Sequence, residues 1–430
     1  MNRIGRRVAI VEGCRTPFAK SGTDFKDLTS TELGKMAVRE LISRAELDVE
    51  LIDHVVFGTV VQSVKEPNIA REVTLGSGIP PRVPAFTVGR ACASSNQAIT
   101  SAAEQIALGM ADVVIAGGAE SLTDIPILFS PEMRNALVRA SKARSLGERV
   151  KAFSTIRPRN LAPVTPAIAE PTTGLTMGES AEQMAQQNGI TREEQDRWAL
   201  RSHQLAAAAT ADGRLTAEIA PAYIPPKYDR VVTSDNGIRA DTSLEKLAQL
   251  KPVFDRKYGT VTAGNASPLT DGGSAVLLMS EEKAKALGYT PLGYIRSYAY
   301  ASLSPSDQLL QGPVYAAPVA FDRAGLTMKD IDLLEIHEAF AAQVLSNLQW
   351  FDSDKIAKER LGRDKAIGIP DEDRINVMGG SIAIGHPFGA TGGRVTITLL
   401  NELKRRGGQF GMISVCAAGA MGFVMIVERE

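Results

Sequence analysis

Short apolar runs bounded by glycine, which alternate with helix-like segments, constrain the fold of this chain more than any other feature. The runs are rich in Val and Ile, as buried strands are: RVAIVEG, HVVFGTV, ADVVIAGG, DLLEIHE, GMISVC and GFVMIVE. Between Ala93 and Gly109, apolar side chains recur at intervals of three and four residues, which indicates a helix with one packed face. Strands that alternate with helices predict an α/β fold.

Two parts of the chain share an order of elements. Cys92 precedes a small-residue helix and the strand ADVVIAGG, whereas His386 precedes the helix GATGGRVTITLLNELKRRG and the strand GMISVCAAG. The match lies in the pattern and not in the residue identities, and it suggests a duplicated half. Residues roughly from Asp124 to Pro252 differ from both parts, with Pro-rich pieces and charge clusters, and they predict an inserted lid or loop domain.

Length and composition exclude several classes of protein. A chain of 430 residues exceeds the usual size of one core, so two or three subdomains are expected. A formal net charge of -1 provides no overall field to bind nucleic acid. Three cysteines suggest free thiols in a reducing compartment. No apolar run reaches the roughly 18 residues of a membrane-spanning helix, and the cytoplasm is the expected location.

Cys92 is the first candidate for chemistry. It lies in VGRACASSNQAI, directly after a predicted strand and at the start of a helix. Free backbone N–H groups and the positive end of the helix dipole at that position favour a thiolate, the reactive form of cysteine. The alternative is a small buried hydrophobic residue, and the local sequence leaves both readings open.

His386 lies in GGSIAIGHPFGATGGR, where glycines allow the backbone to approach a ligand or another segment closely. Histidine is the natural general base near neutral pH. A structural hydrogen-bonding role is the alternative. The chain has only four histidines, and the setting of this one favours function.

Two further residues have comparable settings. Cys416 lies in ISVCAAGAMG, where a strand runs into a small-residue turn whose backbone N–H groups can form an oxyanion hole. His337, in LLEIHEAFAA, ends a predicted strand and begins a helix, where a polar group can face a carbonyl oxygen. For His337 the alternative is a hydrogen bond that supports the helix start.

Together these segments resemble the thiolase family over nearly the whole chain. The matching motifs follow the order of that family: EGCRTPF, NIAR (68–71), RACASSNQA, GGAES (117–121), GTVTAGNASPLTDGGSA (259–275), HEAFAA (337–342), GGSIAIGHPFGATG (379–392) and CAAGAMG (416–422). The resemblance implies a five-layered αβαβα fold of two similar halves with an inserted loop domain. The expected N-terminal half covers residues 1–124 and 253–282, the loop domain 125–252, and the C-terminal half 283–430.

The resemblance also implies a role for each candidate. Cys92 takes the acyl group, His386 activates Cys92, and Cys416 moves the proton at the α-carbon of acetyl-CoA. His337 is expected beside His386 in a first oxyanion hole. The backbone N–H groups of Cys92 and Gly419 are expected to form the second. Coenzyme A (CoA) is then a substrate, and no metal or other cofactor is implied.

Two departures from the short-chain biosynthetic members bear on the substrate. Those members have Asn where this chain has His337, and His where it has Thr176 in TMGESAE. Both features resemble the degradative, trifunctional-complex type, which handles longer chains in fatty-acid β-oxidation. Met177 is expected to line the acyl or pantetheine channel and Ser267 to contact CoA, and packing is the alternative for both.

The leading hypothesis is therefore a 3-ketoacyl-CoA thiolase. A short-chain acetyl-CoA acetyltransferase and a thiolase-like protein that binds acyl-CoA without turnover remain as alternatives. A ketoacyl synthase is disfavoured, because it pairs its cysteine with two histidines, whereas CAAGAMG supplies a second cysteine.

The resemblance implies a homodimer or homotetramer, with a hydratase/dehydrogenase subunit as a partner in a β-oxidation complex. No nucleic-acid partner is expected. The stretch KARSLGERVKAFSTIRPRNLAP, residues 142–163, is basic with interspersed apolar residues. It indicates either a solvated face or a surface that docks a partner or a membrane.

Overall fold

The computed structural model of the protein describes residues 5–164 and 169–430. The strands in these residues are β1 (Val8–Arg15), β2 (Ala19–Lys20), β3 (His54–Gly58), β4 (Ala85–Val88), β5 (Val113–Glu120), β6 (Ala222–Tyr223), β7 (Val231–Val232), β8 (Thr270–Ser280), β9 (Gly293–Ser302), β10 (Leu333–Ile336), β11 (Phe410–Ala417) and β12 (Met421–Glu428). All six strands expected from the apolar runs are present.

The α-helices in the described residues are α1 (Ser30–Arg44), α2 (Ile69–Gly76), α3 (Ser94–Ala107), α4 (Pro131–Lys142), α5 (Leu146–Ala152), α6 (Met177–Asn188), α7 (Arg192–Ala211), α8 (Leu244–Ala248), α9 (Glu281–Ala286), α10 (Gly312–Ala324), α11 (Ala341–Phe351), α12 (Asp354–Leu361), α13 (Ser381–Ile384) and α14 (Thr391–Arg406). Within this part of the chain, no helix is both long enough and apolar enough to span a membrane.

The main sheet has the strand order β10–β11–β12–β9–β1–β8–β5–β3–β4. Its first half pairs β3 in parallel with β4 and β5, and β8 antiparallel with β5 and β1. In its second half, β10 is parallel to β11, and a single parallel bridge joins Leu334 of β10 to Ile375 on its other side. β12 is antiparallel to both β11 and β9. The same topology thus occurs twice, which confirms the prediction of two similar halves.

The halves join where β1 pairs with β9, through Ala9 with Tyr294 and Ile10 with Gly293. Because side chains alternate across a strand, β1 faces two cores. Ile10 belongs to the central apolar cluster, whereas Ala9 belongs to an outer one. The sheet therefore separates an inner core from an outer core.

Three apolar clusters define the layers. The central cluster contains α3 and α14, which lie between the two halves of the sheet and contact each other. One outer cluster contains α1 and α2 on the first half, and the other contains α10 and α11 on the second half. This arrangement confirms the predicted five-layered αβαβα fold.

The segment between β5 and β8 is an excursion from the sheet, because those two strands pair directly with each other. It carries α4 to α8 and the small β6–β7 ribbon. Two of its helices begin at capping boxes, Thr176 with Glu179 at α6 and Thr191 with Glu194 at α7. The exact boundaries at 124/125, 252/253 and 282/283 remain a prediction.

Candidate active site

Cys92 lies in the turn between β4 and α3. The preceding residue, Ala91, has a φ of 44°, a left-handed conformation that is uncommon outside glycine and makes the turn sharp. The helix has no side-chain cap at Ala93. Cys92 is partly exposed, whereas the next residues are buried in the central core. The turn thus presents one sulfur atom at the start of a buried helix.

His386 contacts this sulfur directly, with 3.2 Å between its Nε2 and Cys92 Sγ. The other ring nitrogen, Nδ1, lies 2.6 Å from Thr391 Oγ1, and that hydroxyl donates to the Pro387 carbonyl at 3.0 Å. Because the hydroxyl proton is already used, its oxygen accepts from Nδ1–H. Nε2 is therefore unprotonated and can take the proton of the Cys92 thiol.

Burial sets the charge state of this pair. It raises the pKa of the Cys92 thiol, and hydrogen bonds from the backbone N–H groups of Ala418 and Cys92 only partly oppose that rise. Burial, with the positive charge of Arg394, lowers the pKa of His386. The resting pair is a neutral thiol and a neutral imidazole. The helix start therefore does not produce the resting thiolate that the local sequence favours.

His337 completes the group from the end of β10. Its ring is fully buried, and its centroid lies 4.1 Å from that of His386. Nδ1 lies 2.9 Å from Ser381 Oγ, while Nε2 is buried without a hydrogen-bond partner in the described residues. One sulfur or ring-nitrogen atom from each of Cys92, His337 and His386 lies within 4.8 Å of the corresponding atoms of the other two. An oxygen of a substrate could accept a hydrogen bond from the free nitrogen.

The same three side chains could be considered as metal ligands, because a thiol and two imidazoles suit zinc. In a tetrahedral zinc site, Zn–S distances of about 2.3 Å and Zn–N distances of about 2.0–2.1 Å would separate the sulfur and nitrogen atoms by roughly 3.6 Å. The observed 3.2 Å between Cys92 Sγ and His386 Nε2 is the shorter distance of a direct hydrogen bond.

Cys416 is the penultimate residue of β11 and is buried beside this group. Burial raises the pKa of its thiol well above the ordinary value, and the neighbouring Cys92 adds to the rise. Cys416 is therefore a protonated thiol at neutral pH, which can act as an acid toward a carbanion.

The turn after Cys416 is the expected position of the second oxyanion hole. The backbone N–H of Gly419 donates to Glu170 Oε2 at 3.1 Å. Gly419 has a φ of 81°, which places it in a left-handed turn between β11 and β12. Its role as an oxyanion-hole donor together with the backbone N–H of Cys92 remains a prediction.

The two expected substrate contacts lie near this centre. Met177 begins α6 and, like Phe340, packs against the apolar cluster that contains Cys416. Ser267 donates its backbone N–H to the Ala339 carbonyl at 2.9 Å, which ties it to the segment after His337. Their contacts with acyl chain and CoA remain predictions.

A large cavity lies elsewhere. It has a volume of about 990 Å³ and is lined by residues that include Arg7, Glu104, Ala107 and Tyr298, at the opposite end of α3 from Cys92. None of the candidate residues lines it. The candidate site is therefore identified by the contacts among its reactive side chains and not by the size of a cavity.

The sequence reasoning missed the residues that hold the two histidines. Thr391 and Ser381 both lie within GGSIAIGHPFGATG, yet no local signal distinguishes them from helix-start hydroxyls. Arg394, fully buried on α14, donates to Ser381 Oγ at 2.8 Å. Burial of Arg394 and Thr391, which the sequence does not show, is what identifies this network.

The layered fold and the paired cysteine and histidine define the class: an acyltransferase of layered α/β architecture. Comparison with known proteins gives the family. The model of the thiolase N-terminal domain matches residues 8–282, and that of the thiolase C-terminal domain matches residues 289–429. The chain belongs to the thiolase family.

Similar proteins agree. A 3-ketoacyl-CoA thiolase of Yersinia pestis (strain Pestoides F) is 53% identical over 430 residues, which are 100% of this chain and 98% of that protein. The crystal structure of human mitochondrial 3-ketoacyl-CoA thiolase has a TM-score of 0.84 and 34% identity, with 100% of each chain covered. That of Bacillus anthracis acetyl-CoA acetyltransferase has a TM-score of 0.85 and 35% identity, with 99% of each chain covered.

Proposed function

We propose that this chain is a 3-ketoacyl-CoA thiolase, which cleaves 3-ketoacyl-CoA with CoA to give acetyl-CoA and an acyl-CoA shortened by two carbons. The observation that carries the proposal is the 3.2 Å contact between Cys92 Sγ and His386 Nε2, with Cys416 beside it. The full-length identity of 53% to a 3-ketoacyl-CoA thiolase supports the substrate class.

In the first step, Cys92 Sγ attacks the 3-keto carbon while its proton moves to His386 Nε2. Because the resting pair is neutral, proton transfer accompanies the attack. The keto oxygen becomes an oxyanion, and its proposed donors are the backbone N–H groups of Cys92 and Gly419, the latter in exchange for its bond to Glu170.

In the second step, the bond between the α- and β-carbons breaks, and its electron pair forms the enolate of acetyl-CoA. The unpaired Nε2 of His337 faces the enolate oxygen as its hydrogen-bond donor. The Cys416 thiol protonates the enolate carbon and becomes a thiolate. Acetyl-CoA leaves, and the shortened acyl group stays on Cys92 as a thioester.

In the last step, CoA enters, and its thiol gives a proton to the Cys416 thiolate. The CoA sulfur attacks the acyl carbon, and the Cys92 sulfur leaves and recovers its proton from His386. All protons and electrons are then restored. A protein that only binds acyl-CoA needs none of these groups, which argues against the non-catalytic alternative.

The chain-length alternative has structural support of its own, because an acetyl-CoA acetyltransferase is among the similar structures. We favour longer chains and a role in β-oxidation, because His337 and Thr176 differ from the short-chain pattern and a 3-ketoacyl-CoA thiolase is 53% identical.

The test is CoA-dependent cleavage of 3-ketoacyl-CoA esters from four to sixteen carbons. We expect turnover that is fastest on longer chains and is abolished in Cys92→Ala, with Cys14→Ala as the matched control, since Cys14 is buried away from the site. Activity on acetoacetyl-CoA alone would favour the acetyltransferase, and acyl-CoA binding without any turnover would favour the binding protein.

We also propose that the helical hairpin of α4 and α5, together with residues up to 163, is a docking face. Residues 130–163 carry eight basic and two acidic side chains. Leu146 and Val150 are 77% and 68% exposed on the same hairpin. Exposed apolar side chains among clustered positive charges favour an anionic membrane surface, and a hydratase/dehydrogenase subunit is the alternative occupant.

Assembly and location remain predictions. A homodimer or homotetramer is consistent with β4, which lies at the outer edge of the main sheet. A cytoplasmic location is consistent with three cysteines that form no disulfide.

A further inference from the structure

The ring of His337 is useful to a substrate oxygen only in one protonation form. A neutral imidazole has a single N–H, on either Nδ1 or Nε2. One ring nitrogen of His337 lies within 4.8 Å of the Cys92 sulfur and of a ring nitrogen of His386. Nδ1 contacts Ser381, whereas Nε2 has no partner in the described residues and is the nitrogen free to meet a substrate oxygen. If the proton were on Nδ1, Nε2 would present a lone pair and would repel an enolate oxygen.

Ser381, which contacts the other ring nitrogen, decides between these forms. Its Oγ accepts a hydrogen bond from Arg394 Nη2 at 2.8 Å, and a guanidinium can only donate. The one other hydrogen bond described for this hydroxyl is the 2.9 Å contact with His337 Nδ1. If Nδ1 carried a proton, the Ser381 oxygen would accept twice and its own buried proton would have no acceptor in the described residues. The arrangement that satisfies every group directs the Ser381 proton to Nδ1, which is then the lone-pair nitrogen.

Burial and an ion pair fix the position of Arg394. It is fully buried on α14, and its Nη1 lies 3.4 Å from Oε2 of Glu335, two residues before His337 on β10. Burial lowers the pKa of His337, and the positive charge of Arg394 adds to that effect. The ring thus stays neutral, which is the condition under which its tautomer matters.

His386 shows the opposite arrangement 4.1 Å away. The Thr391 hydroxyl donates to the Pro387 carbonyl, so it accepts from His386 Nδ1 and leaves Nε2 without a proton. One hydroxyl acts as a donor and the other as an acceptor. Two neighbouring histidines thereby become a hydrogen-bond donor and a base.

We propose that Ser381, oriented by Arg394, is a positioning residue that keeps the proton of His337 on Nε2, and so makes His337 the donor to the enolate oxygen. The inference rests on the proposed thiolase function for its consequence, whereas the tautomer itself does not depend on turnover.

The first test compares the kinetics of Ser381→Ala and Ser381→Thr with the wild type. Ser346→Ala is the matched control, because Ser346 is also a fully buried serine but its hydroxyl has no hydrogen-bond partner in the described residues. We expect kcat for thiolysis to fall about tenfold to a hundredfold in Ser381→Ala, less than complete loss of an oxyanion-hole donor. KM and the rate of Cys92 alkylation should stay within about twofold, and Ser381→Thr should recover kcat.

The second test is the ¹⁵N spectrum of histidine-labelled wild type, in which Cys92→Ala, His337→Gln and His386→Gln assign the signals. We expect the proton of His337 on Nε2 and that of His386 on Nδ1. A proton on Nδ1 of His337 in the wild type would overturn the proposal, even if Ser381→Ala fails to fold. Equal kcat losses in Ser381→Ala and Ser346→Ala would also overturn it. Absence of thiolysis in the wild type would instead refute the proposed function, and the nitrogen spectrum would still decide the tautomer.

Discussion

The thiol of Cys92 depends on His386 at the moment of reaction and not before it. A thiol at a helix start is expected to ionise easily, but burial here outweighs the backbone N–H groups that point to the sulfur. His386 is kept neutral by burial and by Arg394. At rest the proton therefore stays on the Cys92 sulfur, and it moves to His386 only when a substrate carbon is in place for attack.

This charge state predicts the pH dependence of alkylation. Because the pKa of Cys92 is raised, the thiolate fraction grows as pH rises, so the iodoacetamide rate should increase about tenfold per pH unit from pH 6 to 8. Mass spectrometry of the peptide that contains Cys92 measures the rate, with Cys92→Ala as the blank. A rate that is flat over this range would indicate a resting thiolate–imidazolium pair.

At the residue scale, sequence reasoning identified the four side chains that the structure brings together: Cys92, His337, His386 and Cys416. Their residue types and local settings made them candidates, and the resemblance to the thiolase family selected them. It could not identify Ser381 or Thr391, because the direction of a hydroxyl proton depends on contacts that appear only in the folded chain. The protonation states of Cys92 and His386 could not be predicted from the sequence either, because burial shifts their pKa values.

At the scale of elements, the strands with continuous apolar runs were predictable, and the sheet also contains strands that were not, of which β8 and β9 are the longest. β9 reads GYIRSYAYAS, in which polar side chains interrupt the apolar ones, so no run stands out. β8 is hidden for another reason, because its apolar part follows the glycines of TDGGSAVLLMS. Both strands are recognised through their partners, β12 and β5, which lie far away in sequence.

The hairpin of α4 and α5 makes its own prediction. Arg144→Glu, Arg149→Glu and Lys151→Glu together should abolish co-sedimentation with vesicles that contain anionic phospholipid, because attraction of roughly 1 kcal/mol per basic residue becomes repulsion. Thiolysis should not change, since none of these residues lies in the candidate site. The matched control reverses three exposed lysines elsewhere: Lys227, Lys257 and Lys355.

Vesicle binding that survives the hairpin substitutions, or a wild type that does not bind vesicles, would contradict the membrane proposal. Loss of a co-purifying hydratase/dehydrogenase subunit in the same variant, without vesicle binding by the wild type, would assign the hairpin to the alternative occupant.

At the scale of the whole molecule, the two halves approach each other closely beside the candidate site. Gly118, near the end of β5, lies so near to Gly389 that a Cβ added there would be 1.9 Å from the Gly389 carbonyl oxygen. Gly389 follows His386 by three residues. The duplicated order was predictable from sequence, whereas this contact was not, because it joins residues 271 positions apart.

Gly118→Ala should therefore reduce both stability and activity. The methyl group must displace the backbone that carries His386, at an expected cost of about 1–3 kcal/mol in the free energy of unfolding, with a lower kcat. Gly147→Ala is the matched control, because its added Cβ meets nothing within 4 Å on the exposed helix α5. Denaturant unfolding and thiolysis assays measure both effects. Equal stability and equal activity of the two variants would show that the contact between Gly118 and Gly389 tolerates an added methyl group.

The acyl group on Cys92 is the most direct evidence for the account as a whole. Wild type mixed with a 3-ketoacyl-CoA in the absence of CoA, then quenched in acid and digested, should carry the shortened acyl mass on the peptide that contains Cys92. Addition of CoA before the quench should remove that mass and produce the shortened acyl-CoA. An enzyme that cleaves the substrate with no acyl group on Cys92, or with the acyl group on Cys416, would contradict the mechanism.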